Sequence, residues 1–326
     1  MLSAELGDDL LYPQVSCIIP TLKRPAFLRR CLASIALQTS RPTEVLVGIR
    51  SDDAESRPVL MELADRIPVM AVESKGCGVV GSMSSCLAHA TGDFIALVDD
   101  DVELPTKWLE VMLRHLATNP DVLGTAGRDL LQDKPEFRSK ESRTLDVGTI
   151  HWYGKVTGNH HRGMGQPRRV DILRGSNCLF RGDFLRKVGF EQHLRGQGAQ
   201  VHWELALALH ARRKKRPLFY DPGVEVIHHV APRHDADQLH RGVFDSEALR
   251  DMSYNEAFIL HSYAPIIMQL RCMAWIFLVG GGFTPGLLKC LQLLWRGEPQ
   301  LAARISAFTS GWLGGLRDGR RRQGVK

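Results

Sequence analysis

The chain has no Cys-x-x-Cys pair. Its seven cysteines are scattered through 326 residues, and several, such as Cys17 and Cys31, fall inside apolar patterns. That spacing argues against structural zinc and fits small core residues held in a reducing compartment. The first residues, MLSAELGDDLLYPQ, have no charged start followed by a long apolar run. Neither a signal peptide nor an N-terminal anchor is expected, and the bulk of the protein is expected to face the cytoplasm. No RNA- or DNA-binding signature accompanies the formal charge of +6 and pI near 9. The basic residues gather in local runs at 212–216 and 317–326, which suits a phosphate-rich or membrane-surface partner and excludes nucleic acid as the expected one. A simple membrane span is also missing: the uncharged window 272–288 is 17 residues long and is broken by Gly280-Gly281-Gly282 and Thr284-Pro285-Gly286, where a span wants about 20 apolar residues. At 44% hydrophobic the chain can still bury one large core or two modest ones.

Residues 91–109, TGDFIALVDDDVELPTKWL, organise the rest. Phe94 to Val98 reads as a buried strand after Gly92, and it ends in three consecutive carboxylates, Asp99, Asp100 and Asp101, before Pro105 opens a helix. Adjacent acids at a buried strand end repel one another, and a hard divalent cation relieves that repulsion. Alternate strand side chains share a face, so Asp99 and Asp101 can offer oxygens to Mg2+ or Mn2+, which in turn would hold a diphosphate. The plainer alternative is a solvated acidic turn capping the next helix.

Upstream, Val15 to Ile19 forms a β-branched run ended by Pro20. A loop from Pro20 to Pro25 leads into a helix with Leu28, Cys31, Leu32 and Ile35 on one face. Val45 to Ile49 and Val69 to Val72 repeat the strand pattern, with helical patterns at Val59, Leu60, Leu63 and at Val79, Val80, Met83, Leu87. Alternating strands and helices predict an α/β fold with a mostly parallel sheet, whose ligands sit outside the carboxyl ends of its strands.

Val15 to Pro20 with Thr21 and Arg24, then Glu44-Val-Leu-Val, the strand ending in Asp-Asp-Asp, Arg174-Gly-Ser-Asn-Cys-Leu-Phe-Arg, Phe184-Leu-Arg-Lys-Val-Gly-Phe, and Phe219-Tyr-Asp-Pro-Gly-Val-Glu-Val-Ile-His-His follow one another in a familiar order. Over residues 15–230 the chain resembles the family 2 glycosyltransferases of the GT-A fold. The resemblance implies that Pro20, Thr21 and Arg24 serve the nucleotide pocket. It also implies that Asp99 and Asp101 form a DxD motif with Asp101 the more direct metal ligand, that Asp100 faces ribose or donor sugar, that His228 completes the metal or diphosphate site, and that Arg174 opens a segment under the donor sugar. Mg2+ or Mn2+ is the implied cofactor, a nucleotide diphosphate sugar the donor, and a glycan or lipid-linked molecule the acceptor. The implied division is a nucleotide-sugar half over 13–126, an acceptor half over 127–262, and a helical membrane-associated region over 263–326.

Three departures stand out. Where the family ends its second strand in acids, this chain has Ile49 and Arg50, with Asp52 and Asp53 following as substitutes. Where the family has Ala-Arg-Asn before the acidic strand, this chain has Ser82-Met83-Ser84. The family's Glu-Asp acceptor motif aligns with Val201-His202, two residues before Glu204. An inverting transfer needs a base for the acceptor hydroxyl, and both Glu204 and His202 qualify. On a helix the two diverge by about 200°, so one of them faces the site; Glu204, at a helix start, is preferred.

Between residues 127 and 170 the pattern fades into a long excursion. His160 and His161 read as exposed loop histidines, and His151, Trp152 and Tyr153 as aromatics for stacking on a sugar ring. The basic run 212–216 reads as a solvated helix end or a contact for a lipid diphosphate or anionic headgroups. Around the Gly/Pro break, two short helices lying in an interface are expected, then an amphipathic helix with Ile305, Phe308, Trp312 and Leu316 on one side and a cationic tail. Packing of this whole region as a helical cap, or as a dimer face, is the alternative. The expected function is metal-dependent, inverting glycosyl transfer at the cytoplasmic face of the membrane, involved in polysaccharide synthesis. The rivals are a degenerate sugar-nucleotide-binding scaffold and a nucleotidyltransferase; the glycine-free loop 20–25 counts against the latter.

Overall fold

Cys17 and Ile19 point to one side of a strand and Ile18 to the other, and the computed structural model shows both sides covered. It describes residues 13–132, 142–232 and 243–324. The expectation about a leader at residues 1–12 and the last two residues of the basic run 317–326 lie outside these residues. Four strands, β1 (Val15–Pro20), β2 (Glu44–Ile49), β3 (Val69–Glu73) and β4 (Phe94–Val98), run parallel in the order β3-β2-β1-β4. The helices between them are α1 (Pro25–Ala36), α2 (Arg57–Leu63) and α3 (Gly78–Leu87). Cys17 and Ile19 join Leu28, Leu32 and Val59 in one apolar cluster, while Ile18 and Leu46 join Val80 and Met83 in another. The period-two alternation of the strands thus assigns each helix to a face.

After β4 come the short strand β5 (Val102–Glu103), α4 (Trp108–Thr118) and β6 (Gly124–Leu131). A two-stranded hairpin, β7 (Thr149–Ile150) and β8 (Val156–Thr157), leads to the 3-10 turn His160–Arg162 and β9 (Arg168–Val170). Then follow β10 (Asn177–Arg181), α5 (Gly182–Val188), α6 (Trp203–Arg213) and β11 (Leu218–His228). The sheet continues as β4-β10-β6-β11-β5, with β9 on β11. β10 runs antiparallel to both β4 and β6, and β11 runs parallel to β6. The mostly parallel sheet is therefore mixed. One consequence positions the site: the carboxyl ends of β1, β4, β6 and β11 and the amino end of β10 share a single edge, beside the reversal of strand order between β1 and β4.

The excursion before β9 departs from expectation. His160 is buried, its Nε2 3.0 Å from the Ile172 carbonyl oxygen and its backbone carbonyl accepting from the Tyr220 hydroxyl at 2.7 Å. Burial, opposed by the Ile172 contact, lowers its pKa to about 4. It is a core residue, not an exposed loop histidine. Tyr153 also faces protein: its ring lies 5.0 Å from Trp275.

Four helices close the chain: α7 (Ser246–Tyr263), α8 (Ile266–Leu278), α9 (Leu287–Trp295) and α10 (Leu301–Gly324). The Asp245 side chain caps α7 by accepting from the Ala248 amide at 2.7 Å. The break at 279–286 separates α8 from α9 as expected. The amphipathic face of α10 does something else: Phe308 and Trp312 are buried, and Gly311, Gly315 and Gly319 bring its backbone onto Arg250, Tyr254 and Phe258 of α7. Matched four-residue steps on both helices mean that they run side by side in the same direction. Arg322, part of the expected cationic tail, pairs with Glu191 at 2.6 Å.

A side chain at Gly315 would meet the Tyr254 carbonyl oxygen, whereas nothing lies within 4 Å of one at Gly282. Gly315→Val should therefore lower the urea midpoint by the equivalent of about 1–3 kcal/mol, and Gly282→Ala should leave it nearly unchanged. Equal midpoints for both would contradict the close helix contact.

Candidate active site

The three acids at the end of β4 have three different environments. Asp100 is buried, accepting from Thr21 Oγ1 at 2.7 Å and from Arg24 Nη1 at 3.0 Å. It ties the β1 loop to β4, with both of its oxygens hydrogen-bonded to that loop. Thr21, with its hydroxyl on Asp100 and its amide on the Gly48 carbonyl at 3.1 Å, belongs to the same scaffold. Pro20, half-buried at the end of β1, sets this loop.

Asp101 faces the end of β11. Its Oδ1 is 3.2 Å from His228 Nε2, and its Oδ2 accepts from the Ala231 amide at 2.9 Å and lies 3.8 Å from Arg24 Nη1. Burial would raise its pKa, but His228 and these donors hold it well below the usual carboxylate range. His228 responds in the opposite sense: burial works against its charge, yet the bond to Asp101 raises it.

Among the described residues Asp99 is hydrogen-bonded through its backbone only, its amide donating to the Ser176 carbonyl at 3.0 Å. Burial, reinforced by the charge of Asp101, raises its pKa to about 7. Ligand atoms of Asp99, Asp101 and His228 lie within 4.8 Å of one another. Two carboxylates and an imidazole make a donor set suited to Mn2+ or Mg2+. The raised Asp99 is the observation that fits such an ion: a like-charge pair in a buried setting is what a divalent cation neutralises. His228 Nδ1 is also buried without a partner among the described residues.

Arg174 reaches the same edge through a residue that sequence reasoning missed. Asp129, at the carboxyl end of β6, is fully buried. It accepts from Ser176 Oγ at 2.8 Å and Asn177 Nδ2 at 2.7 Å, and pairs with Arg174 Nε at 3.2 Å. Burial favours its neutral form, but Arg174 and the donors keep its pKa low. Only the β6–β10 pairing brings these residues together, so no local motif signals Asp129.

Glu204 and His202 are separated by the start of α6. His202 is the N-cap with φ of 81°, outside the helix, and Glu204 lies in the first turn. Gly175 has no side chain where the Trp203 ring packs, and this lets the first turn approach the Arg174 segment. Burial raises the pKa of the Glu204 carboxylate, opposed by the nearby Gly175 backbone and Arg174. A half-buried carboxylate with a raised pKa is chemically able to take up a proton.

The proposed substitutes for the second-strand acids divide. Asp53 is fully buried and accepts from the Lys23 amide at 2.6 Å and from the Ser56 amide and hydroxyl at 3.1 and 2.8 Å. With both oxygens inside the loop, it is unavailable to a nucleobase. Asp52 is exposed but makes a two-point pair with Arg50 at 2.9 and 3.0 Å.

The sheet order, the metal-capable edge and the helical flanks define a GT-A glycosyltransferase fold. It is similar to that of a mannosyltransferase, PcManGT, from Pyrobaculum calidifontis in complex with GDP-Man and Mn2+, with a TM-score of 0.54 and 16% identity over 97% of this chain and 88% of that one. It is likewise similar to S. aureus TarS 1-349 in complex with UDP-GlcNAc, with a TM-score of 0.58 and 13% identity over 95% and 92%. The model of glycosyl transferase family 2 matches residues 16–189, and the chain belongs to that family. Among curated relatives, a glucosyl-dolichyl phosphate glucuronosyltransferase of Haloferax volcanii is 26% identical over 183 residues, 54% of this chain and 55% of the relative. A GalNAc(5)-diNAcBac-PP-undecaprenol beta-1,3-glucosyltransferase of Campylobacter jejuni is 28% identical over 105 residues, 31% and 34%. The chain thus spans about half the length of the first and a third of the second.

A folded Asp99 pKa of about 7 lies above the unfolded value of about 3.9. In metal-free protein its contribution to stability is complete below that unfolded value and is lost as pH rises through about 7. Mn2+ must displace the protons held by Asp99 and by His228, so affinity should rise with pH and level off only once both groups are deprotonated. Calorimetry across this range should also detect proton release, and Asp99→Asn should reduce it, leaving the part released by His228. A pH-independent affinity would contradict this protonation.

Proposed function

We propose that this protein transfers a sugar from a nucleotide diphosphate sugar to a lipid-linked acceptor, with inversion at the anomeric carbon. The observation that carries the reading is the joint presence, at one sheet edge, of the Asp99–Asp101–His228 cluster and the half-buried Glu204. Asp99, Asp101 and His228 would hold Mg2+ or Mn2+, which when bound supplies positive charge for the leaving diphosphate. Arg174, fixed by Asp129, adds a protein cation beside the same site. Glu204 accepts the proton of the acceptor hydroxyl as it attacks the anomeric carbon. Inversion follows from a single displacement that uses one base. The names of the curated relatives, which include dolichyl- and undecaprenol-linked compounds, favour a lipid-linked acceptor. Free cysteines throughout fit the reducing, cytoplasmic side of a membrane. In this reading residues 13–126 serve chiefly the donor and 127–262 the acceptor.

Glu204→Gln should preserve donor binding and lower turnover by about a hundred- to ten-thousand-fold, whereas His202→Ala should do less. Asp101→Asn should remove most of the metal dependence of nucleotide diphosphate binding. Donor binding by the native protein with neither hydrolysis nor transfer would instead favour the sugar-nucleotide-binding scaffold. An inactive His202 variant with an active Glu204→Gln would assign the base to the imidazole.

A further inference from the structure

α9 has no buried residue. Leu287, Leu288, Leu291, Leu294 and Trp295 recur at helical spacing along it, each more than half exposed and Trp295 86% exposed. The neighbouring α8 buries Met268, Cys272 and Ile276 against the body and leaves Ile266, Ile267, Leu270 and Leu278 outside. So large a concentration of exposed aliphatic side chains within thirty residues is unlike the scattered apolar residues of an ordinary surface.

Two other elements join this surface. The tip of the β7–β8 hairpin docks on α8: the Tyr153 ring packs against Trp275, and Gly154 lies against the Arg271 carbonyl. Next to these contacts Trp152 remains 77% exposed. At the other end, Arg213 of the basic run donates to the Ser262 carbonyl oxygen at 3.1 Å, just before α8 begins.

Charge selects the occupant. No Asp or Glu occurs between Glu256 and Glu298, while Arg271, Lys289 and Arg296 do. A second copy of the chain docking through this face would bring like charges together, because a two-fold contact matches a patch with itself. An anionic bilayer surface complements both features: acyl chains receive the leucines, headgroups receive the cations, and tryptophan suits the boundary. No described helix is long and apolar enough to cross a membrane.

We propose that α8, α9 and the Trp152 hairpin tip form a docking face that seats this protein in the surface of an anionic bilayer without crossing it. This deepens the reading of a lipid-linked acceptor and rests on that reading only for its purpose; the surface itself stands on packing and charge. Phe308 and Trp312 of α10 are buried and lie outside this face.

The test is co-sedimentation of the full chain with vesicles of phosphatidylcholine alone, or with one third phosphatidylglycerol. The native protein should pellet with the anionic vesicles, less with the neutral ones, and less as salt is added. The double substitution Leu291→Glu with Leu294→Glu should weaken anionic-vesicle binding at least tenfold while leaving the melting midpoint and nucleotide binding unchanged. Trp152→Ala should weaken vesicle binding to a smaller degree. Native protein that stays in solution with both vesicle types would overturn the proposal, as would a double variant that binds like the native chain. A native dimer converted to monomer by the double variant, with no vesicle binding, would assign the face to a second copy. Vesicle binding by a protein that neither binds nor hydrolyses any nucleotide sugar would uphold this face while removing the proposed function.

Discussion

Mutual repulsion among Asp99, Asp100 and Asp101 is the constraint on which the arrangement of this protein turns. Three carboxylates at the end of a buried strand cannot all remain charged without compensation. The fold handles them one at a time. Asp100 takes a cation and a hydroxyl from the β1 loop, Arg24 and Thr21. Asp101 takes His228 from the end of β11 and an amide from Ala231. Asp99 has neither, and its raised pKa records the deficit. Arg174, the remaining nearby cation, is held by Asp129. Among the described residues the compensation is one charge short, and a divalent ion is the chemistry that supplies it.

The sheet topology makes this possible. Because β10 runs against its neighbours, the backbone before it passes the carboxyl end of β4, and the Asp99 amide bonds to the Ser176 carbonyl. Gly175 then admits the Trp203 ring, which brings the first turn of α6 and Glu204 alongside. Acid cluster, arginine and candidate base thus arrive from four separate elements at one edge.

Much of the fold could be read from local pattern. The strands up to β4 and helices α1 to α3 follow from alternating and helical periodicity, and the break between α8 and α9 follows from glycine and proline. The adjacency of Asp99 and Asp101 was visible from period-two geometry, whereas His228 came by resemblance. What could not be read depends on distant pairing. Asp129 meets its partners 45 to 48 residues later through β6 and β10, and His160 is buried by Tyr220, 60 residues on. Asp52 and Asp53 are adjacent in sequence, yet one is exposed and the other closed inside a loop, a difference set by Lys23 and Ser56. The face of α10 carried a misleading signal, since Phe308 and Trp312 suit a membrane as well as a helix. The four-residue spacing of Gly311, Gly315 and Gly319 was the cue to close packing on α7.

The most direct measurement of the central claim is anomalous diffraction at the manganese edge from crystals grown with Mn2+ and a nucleoside diphosphate. The account predicts a strong peak within direct coordination distance of Asp101 and at least one of Asp99 and His228, with the diphosphate on its open side. A bound nucleotide with no manganese peak at these residues, or with Lys or Arg side chains alone around its diphosphate, would contradict it.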